Sequence, residues 1–241
     1  MGEVSRRLAI RAASTRGKVA VRIGGGVRSL SSSAVAMMNK TIVPAFAGCD
    51  FTLIAGGTRT ELRLDGAILP GITEVLPLIG AVSPLAKTVG VIPRQTDLRL
   101  VHGRLIVADK PQNDHITIVH PDLNTCLLLQ YSVDKGLDGW DAEWLTALDL
   151  MEALRLDGGY RTLHLFYGGG KTTERELLHV LNLSHSPANP WWVVLVADSG
   201  GVVSQYAADK SWCSQFAGRL AVCGASELST TLRSLGFNPL P

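Results

Sequence analysis

The chain has 241 residues and a formal net charge of +2 at pH 7; 46% of its residues are hydrophobic and 18% are charged. This composition is typical of a packed globule and argues against a disordered or fibrous chain. So small a net charge gives no indication of nucleic-acid binding, and no apolar run is long enough to span a membrane. We therefore expect a cytoplasmic protein with no nucleic-acid or membrane partner. The sequence leaves open whether the chain forms a homo-oligomer.

The length fits one domain over residues 1–241, which begins with an exposed, Arg-rich lead-in at residues 1–17. Three apolar runs rich in β-branched residues then predict strands: KVAVRIGGG (18–26), FTLIAGGTR (51–59) and KTVGVIPR (87–94). Segments with helical spacing follow the first two runs, at 29–48 and 70–85. This alternation predicts an α/β fold with a mostly parallel central sheet covered on both faces.

The second half of the chain resumes this pattern after an insertion at residues 95–124, which predicts a hairpin or edge strands. The strands predicted after it are 125–131, 161–167 and 190–201, and the helices are 140–155, 172–182 and 227–237. Helix 140–155 carries an apolar stripe, predicted to pack in the core, that consists of Trp140, Trp144, Leu148 and Met151. His164, in strand 161–167, is likewise predicted to be a core residue.

Cysteine and histidine spacing does not indicate a metal site. The cysteines show no zinc-ligand spacing and are predicted to be reduced thiols: Cys49, Cys126, Cys213 and Cys223. His115 and His120 lie near Asp114 and Asp122, but their spacing on a strand places the two rings on opposite faces. We therefore expect neither a metal nor a cofactor.

Four predicted strands end in glycine-rich loops, at 24–26, 56–59, 168–170 and 199–201. The carboxyl ends of parallel strands share one edge of a sheet, and ligands bind there. Glycine lets the backbone approach a ligand, and the N–H groups of helix amino ends attract anions. The loops predict a nucleotide-like ligand, although tight turns alone would also use glycine. The candidate nucleotide-binding residues are Gly24, Gly25, Gly56, Gly57, Thr58, Arg59, Gly71, Thr73, Gly168, Gly169, Gly170, Lys171, Thr172, Thr173, Ser199 and Gly200.

The segment YGGGKTTERELL (167–178) can be compared with the P-loop pattern GxxxxGK[ST]. Residues 170–172 fit the end of the pattern, but its first glycine falls on Leu165, within the predicted strand. A loop of three glycines is also too short to wrap a β-phosphate with successive N–H groups. The segment therefore argues against a P-loop NTPase.

The same segment resembles the PGGxGTxxE motif of the LOG family of nucleotide phosphoribohydrolases and of the wider SLOG superfamily. Gly169, Gly170, Thr173 and Glu176 match the motif, whereas Gly168 replaces its proline and Thr172 its third glycine. KTVGVIPR resembles a LOG strand, and FTLIAGGTR, LPGITEV and VVLVADSGG most resemble prokaryotic relatives of the SLOG domain of TRPM channels. The resemblance covers residues 18–210. It implies a Rossmann-like three-layer sandwich that binds or senses a nucleotide-derived molecule such as ADP-ribose.

The resemblance also implies an alternative function, cleavage of an N-glycosidic bond by Glu176 together with an arginine on a helix. Residues 95–124 stand where that helix is expected, so Arg59 and Arg94 are substitutes by position only. Thr173 and Glu176 also satisfy a capping box, in which Thr173 caps the helix and Glu176 bonds back to it. A third alternative is a domain that keeps the fold without any ligand.

Overall fold

The computed structural model describes residues 3–26, 31–93, 98–101, 103–107, 114–129, 139–183 and 191–238. The α-helices within these ranges are α1 Glu3–Ala13, α2 Ser32–Ala45, α3 Val75–Val82, α4 Gly139–Gly158, α5 Lys171–Asn182, α6 Gly201–Ala208, α7 Lys210–Ser214 and α8 Leu228–Ser234. The strands are β1 Val19–Gly25, β2 Thr52–Gly56, β3 Thr58–Leu62, β4 Ile68–Leu69, β5 Lys87–Pro93, β6 Leu98–Val101, β7 Arg104–Val107, β8 His115–Val119, β9 Thr125–Leu129, β10 Arg161–Tyr167, β11 Trp191–Val196 and β12 Leu220–Cys223. Short 3-10 turns at Ile72–Glu74 and Ala225–Glu227 precede α3 and α8.

Seven strands form the central sheet in the order β12-β11-β10-β1-β2-β5-β9, and all neighbouring pairs are parallel. β1, β10 and β11 are buried almost throughout, which explains their nearly continuous apolar runs. The strand order reverses between β1 and β10, so the switch point of the sheet lies between these two strands. The predicted α/β fold with a parallel sheet is confirmed.

Hydrophobic clusters cover both faces of this sheet. Residues of α2, α3 and α8, among them Met38, Ile79 and Leu232, pack on one face. Residues of α1, α4 and α5, among them Met151 and Leu177, pack on the other. These two layers of helices and the sheet between them make the three-layer arrangement.

A second, antiparallel sheet has the strand order β4-β3-β8-β7-β6. It includes a hairpin of β6 and β7 within the predicted insertion 95–124, but its strands do not extend the central sheet. They pair instead with β3 through β8. The predicted strand 51–59 includes only the first two residues of β3. The N–H of His120 donates to the carbonyl of Gly57 at 2.9 Å, and this bond fixes the end of β8 to the junction of β2 and β3.

One further sequence prediction is wrong, and one strand was not predicted. Residues 3–13 of the expected lead-in form α1, because Ala9 and Ala13 lie on one side of the helix and are buried against the rest of the domain. The carbonyl of Ala12 accepts a hydrogen bond from Lys87 Nζ at 2.6 Å, which anchors the helix end. β12 was missed because four residues at a sheet edge give little periodic signal.

Other predictions of the core are confirmed. Trp144, Leu148 and Met151 are buried, whereas the side chain of Trp140 lies outside the described residues. Cys49, Cys213 and Cys223 are free thiols, and the side chains of Cys126 and His115 also lie outside the described residues. Among the helices that the structure describes, none has the length and apolar character needed to cross a membrane.

Candidate functional site

A cleft lies at the carboxyl ends of β1 and β2, beside the switch point of the sheet. The 3-10 turn at Ile72–Glu74, α4 and the amino end of α5 form its other walls. It is lined by eight of the residues predicted from the sequence: Gly24, Gly25, Gly56, Thr58, Thr73, Thr172, Thr173 and Glu176. The space enclosed is about 30 Å³, room for roughly one or two water molecules.

The other predicted residues do not line this cleft: Gly57, Arg59, Gly71, Gly168, Gly169, Gly170, Lys171, Ser199 and Gly200. Gly57 is buried, and a Cβ there would lie 2.6 Å from Ile92 Cγ1, so packing alone requires glycine. Gly71 precedes the 3-10 turn, and Lys171 is exposed at the start of α5.

A buried ionic cluster forms the floor of the cleft, centred on Arg22 of β1. Arg22 Nε donates to Glu176 Oε1 at 2.5 Å. The two terminal nitrogens of the same guanidinium donate to Glu143, at 3.1 Å to Oε1 and 3.3 Å to Oε2. One arginine is thus shared by two carboxylates, from α4 and from α5. Arg22 and Glu143 were not predicted from the sequence. The signal that could have identified Arg22 is a charged residue within an otherwise apolar strand.

The two carboxylates have opposite pKa shifts. Burial raises the pKa of Glu143, and the favourable charge of Arg22 does not offset this, because Glu176 adds repulsion. Burial also disfavours the ionised form of Glu176, but Arg22 and then His164 outweigh it and lower its pKa from 4.5 to about 2. The pKa of Arg22 itself is raised, since the two carboxylates more than offset the desolvation of the guanidinium. The cluster therefore holds one firmly ionised carboxylate and one that is easier to protonate.

His164 lies beside Arg22 in the register of β10 and β1 and is completely buried. Its Nε2 is 3.0 Å from Glu176 Oε1. The contact lacks hydrogen-bond alignment, since neither ring nitrogen has a properly oriented partner among the described residues. Burial lowers the pKa of His164, which keeps the ring neutral at pH 7. His164 stacks on Phe166 at 4.1 Å between centroids, so the predicted core residue also forms part of the cluster.

The three glycines that line the cleft are glycine for different reasons. A Cβ on Gly25 would lie 2.3 Å from the carbonyl oxygen of Tyr167, and one on Gly24 would lie 3.1 Å from His164 Nε2. Both positions are therefore limited by packing. A Cβ on Gly56 would meet only Glu143 and Thr73, at an ordinary 3.6 Å. Packing therefore does not explain why residue 56 is glycine. The missing side chain leaves space in the cleft.

The predicted capping box is wrong. α5 begins at Lys171 with Gly170 as its N-cap, and no side chain caps it. Thr173 lies inside the first turn and is buried, and the side chain of Glu176 points to Arg22 rather than back along the helix. The first turn thus presents Thr172 and Thr173 to the cleft.

The loops after β10 and β11 bind to each other. Gly168 N donates to Ser199 Oγ at 2.8 Å. Val202 N, at the amino end of α6, donates to the carbonyl of Gly169 at 3.1 Å. Gly200 N is bonded to Ser204 Oγ at 2.8 Å. These N–H groups have protein partners, which leaves the amino end of α5, rather than that of α6, for a ligand.

Arg59 belongs to a different cluster, on the second sheet. Its guanidinium donates to Glu74 Oε2 at 2.8 Å and to Asp122 Oδ2 at 2.6 Å. His120 Nε2 lies 3.3 Å from Glu74 Oε1. Arg59 is therefore not the substitute arginine of the Glu176 site, and Arg94 lies outside the described residues.

In structure, the chain is similar to the crystal structure of TM1055, a structural genomics target, with a TM-score of 0.50. The two share 13% sequence identity over 90% of this chain and 98% of that chain. At this identity the likeness shows the fold alone, and it agrees with the Rossmann-like arrangement expected from the sequence. By sequence, no family model and no curated protein matches the chain.

The structure also corrects the expected position of one helix. α4 lies directly before β10 in the chain, so residues 95–124 do not replace the helix that was expected there. At the cluster α4 provides a carboxylate, Glu143, and the arginine comes from β1. The resemblance implies an arginine on a helix, whereas the arginine that contacts Glu176 here lies on a strand.

Proposed function

We propose that this chain is a SLOG-type domain that binds a nucleotide-derived small molecule, of the ADP-ribose class, in the cleft beside β1 and β2. The observation that carries the proposal is the free space at Gly56, opposite Glu143 and next to the uncapped first turn of α5. Backbone can approach a ligand at Gly56, and the helix amino end favours an anionic group. A sensing role, a cytoplasmic location and kinship with the TRPM-related branch belong to the same proposal.

The small size of the cleft limits how such a ligand would sit. About 30 Å³ beside the cluster admits a hydroxyl group or a water molecule, not a nucleobase. The ribose edge would therefore face the carboxylates, and the phosphate would lie toward the first turn of α5. This orientation keeps the phosphate away from the two carboxylates.

The proposal predicts that ADP-ribose raises the melting temperature. At a ligand concentration of 100 times Kd, binding adds about 2.7 kcal/mol, or about 5 to 10 °C in Tm for a chain of this size. In Gly56→Ala the added methyl group takes up the space next to Glu143, so the shift should be lost. Gly80→Ala, whose Cβ would meet only Thr88 at 3.4 Å, is the matched control and should keep it.

Differential scanning fluorimetry with ADP-ribose, AMP, ADP and ribose 5-phosphate provides this measurement. A wild-type protein that shows no shift with any of them refutes the proposed binding. An undiminished shift in Gly56→Ala would place the ligand elsewhere on the molecule.

The paired carboxylates favour a second candidate, hydrolysis of an N-glycosidic bond. Two carboxyl groups with pKa values moved in opposite directions are a common arrangement in acid–base catalysis. In this reaction water and a nucleoside monophosphate give the free base and ribose 5-phosphate. The ionised Glu176, which matches the motif glutamate, would stabilise positive charge that develops on the ribose.

This candidate predicts release of free base from a nucleoside monophosphate, followed by chromatography. Glu176→Gln and Glu143→Gln should each slow the release at least about 100-fold. Glu152→Gln, a half-buried residue of α4 that pairs with Arg155 outside the cleft, should not. Turnover that persists in both cluster variants, or absence of free base with every common nucleotide, would exclude the reaction.

A further inference from the structure

Glu176 is the more deeply buried of the two carboxylates that contact Arg22. Its side chain is 5% exposed, and Oε1 is shared by Arg22 Nε at 2.5 Å and His164 Nε2 at 3.0 Å. Oε2 lies near Gly24 of β1, where an added Cβ would be 3.3 Å away. Little room is left for a ligand to bond this carboxylate directly.

Glu143 is placed differently. Its side chain is 15% exposed, and its bonds to Arg22 are longer, at 3.1 and 3.3 Å. Its carboxyl carbon lies next to Gly56, where the cleft has its free space. A hydroxyl group that enters there meets Glu143 before it meets Glu176.

We propose that Glu143 is the residue that contacts the ligand and takes up a proton when an anionic ligand binds, whereas Glu176 is a positioning residue that holds Arg22. This inference rests on the proposed binding function and names the residue through which it acts. It differs from the role implied by the sequence resemblance, which singles out Glu176.

The charges around Glu143 support proton uptake. Among the described residues, it faces Arg22 from β1 and Glu176 from α5, with His164 of β10 and His179 of α5 behind Glu176. Burial lowers the pKa of both histidines, which keeps them neutral at pH 7 and leaves one positive charge for two carboxylates. Asp141, on the same helix, is paired with Arg175 at 2.8 Å. An anionic ligand adds negative charge to this site, so protonation of Glu143 becomes more favourable on binding.

Affinity measured as a function of pH tests the proposal. By isothermal titration calorimetry with ADP-ribose, Kd should increase with rising pH by up to about tenfold per pH unit, as expected for uptake of one proton. Glu143→Gln should abolish this slope. Glu176→Gln should keep the slope, even where its affinity is lower. Glu152→Gln, which lies outside the cleft, should behave as wild type.

Carboxyl ¹³C NMR of the ligand-free protein gives an independent readout. The glutamate resonance that titrates at the highest pH should disappear in Glu143→Gln and persist in Glu176→Gln. Absence of any binding refutes the proposed function and this inference together. Binding with a slope that survives in Glu143→Gln, or a high-pH resonance that disappears only in Glu176→Gln, overturns this inference alone.

Discussion

Replacement of Arg22 by methionine is expected to destabilise the protein by about 3 to 5 kcal/mol at pH 7, the usual cost of removing one partner from a buried ion pair. Methionine keeps much of the volume of the side chain but leaves Glu143 and Glu176 without their shared cation. The loss is a large part of the total stability of a typical domain, about 5 to 15 kcal/mol. Urea unfolding followed by circular dichroism measures it.

The pH dependence of Arg22→Met distinguishes this cause from poor packing. Without Arg22 both carboxylates would have folded pKa values above their unfolded value of 4.5. The loss of stability should therefore be smallest near pH 2 and increase up to pH 4.5, as Glu176 ionises in the wild-type protein. It should increase further above pH 4.5, where the variant has to keep both carboxylates protonated or bury them ionised. Arg59→Met is a control, because one of its partners, Asp122, is 55% exposed and is stabilised by water. A loss of stability in Arg22→Met that is the same at pH 4 and pH 7 would contradict this explanation. A loss equal to that of Arg59→Met would also contradict it.

Glu176→Gln is expected to lower stability by about 3 kcal/mol at pH 7, because Arg22 outweighs burial and lowers the pKa of Glu176 from 4.5 to about 2. The folded pKa is lowered, so the contribution is fully present above the unfolded value of 4.5. It is lost as the pH falls from 4.5 toward 2. Unfolding curves between pH 4 and 8 should show a constant difference from wild type over most of this range.

Glu143→Gln should behave in the opposite way. The folded pKa of Glu143 is raised, so its ionised form disfavours folding once the pH exceeds 4.5. The glutamine variant should equal or exceed the stability of wild type at pH 8, although Arg22 loses a partner. Equal losses in the two glutamine variants would show that the carboxylates are equivalent, against the asymmetry described above.

Most of the central sheet could be predicted from the sequence, because buried parallel strands give continuous apolar runs bounded by glycine. β10 is an example: residues 161–167 form it as predicted. α1 was not predicted, since its buried face consists of small residues, Ala9 and Ala13, which add little to an apolar pattern. β3 was missed because its strand, TRTEL, is polar and depends on pairing with the distant β8.

The site was predicted in part. The glycine loops after β1 and β2 lie at the edge of the sheet where the cleft is found, and Glu176 lines that cleft. The partners of Glu176 could not be deduced from the sequence. Arg22 is more than a hundred residues away from both Glu143 and Glu176 in the chain, and the three side chains meet only through the fold. The capping box failed for a related reason, since a buried arginine is a stronger partner for Glu176 than the first turn of its own helix.

The most direct test of the central claim is a crystal structure of the protein with ADP-ribose. The account predicts the ligand in the cleft, with a ribose hydroxyl within hydrogen-bond distance of Glu143 and a phosphate at the first turn of α5 near Thr172 and Thr173. A ligand bound elsewhere, with the Arg22 cluster unchanged and the space at Gly56 still empty, would contradict it.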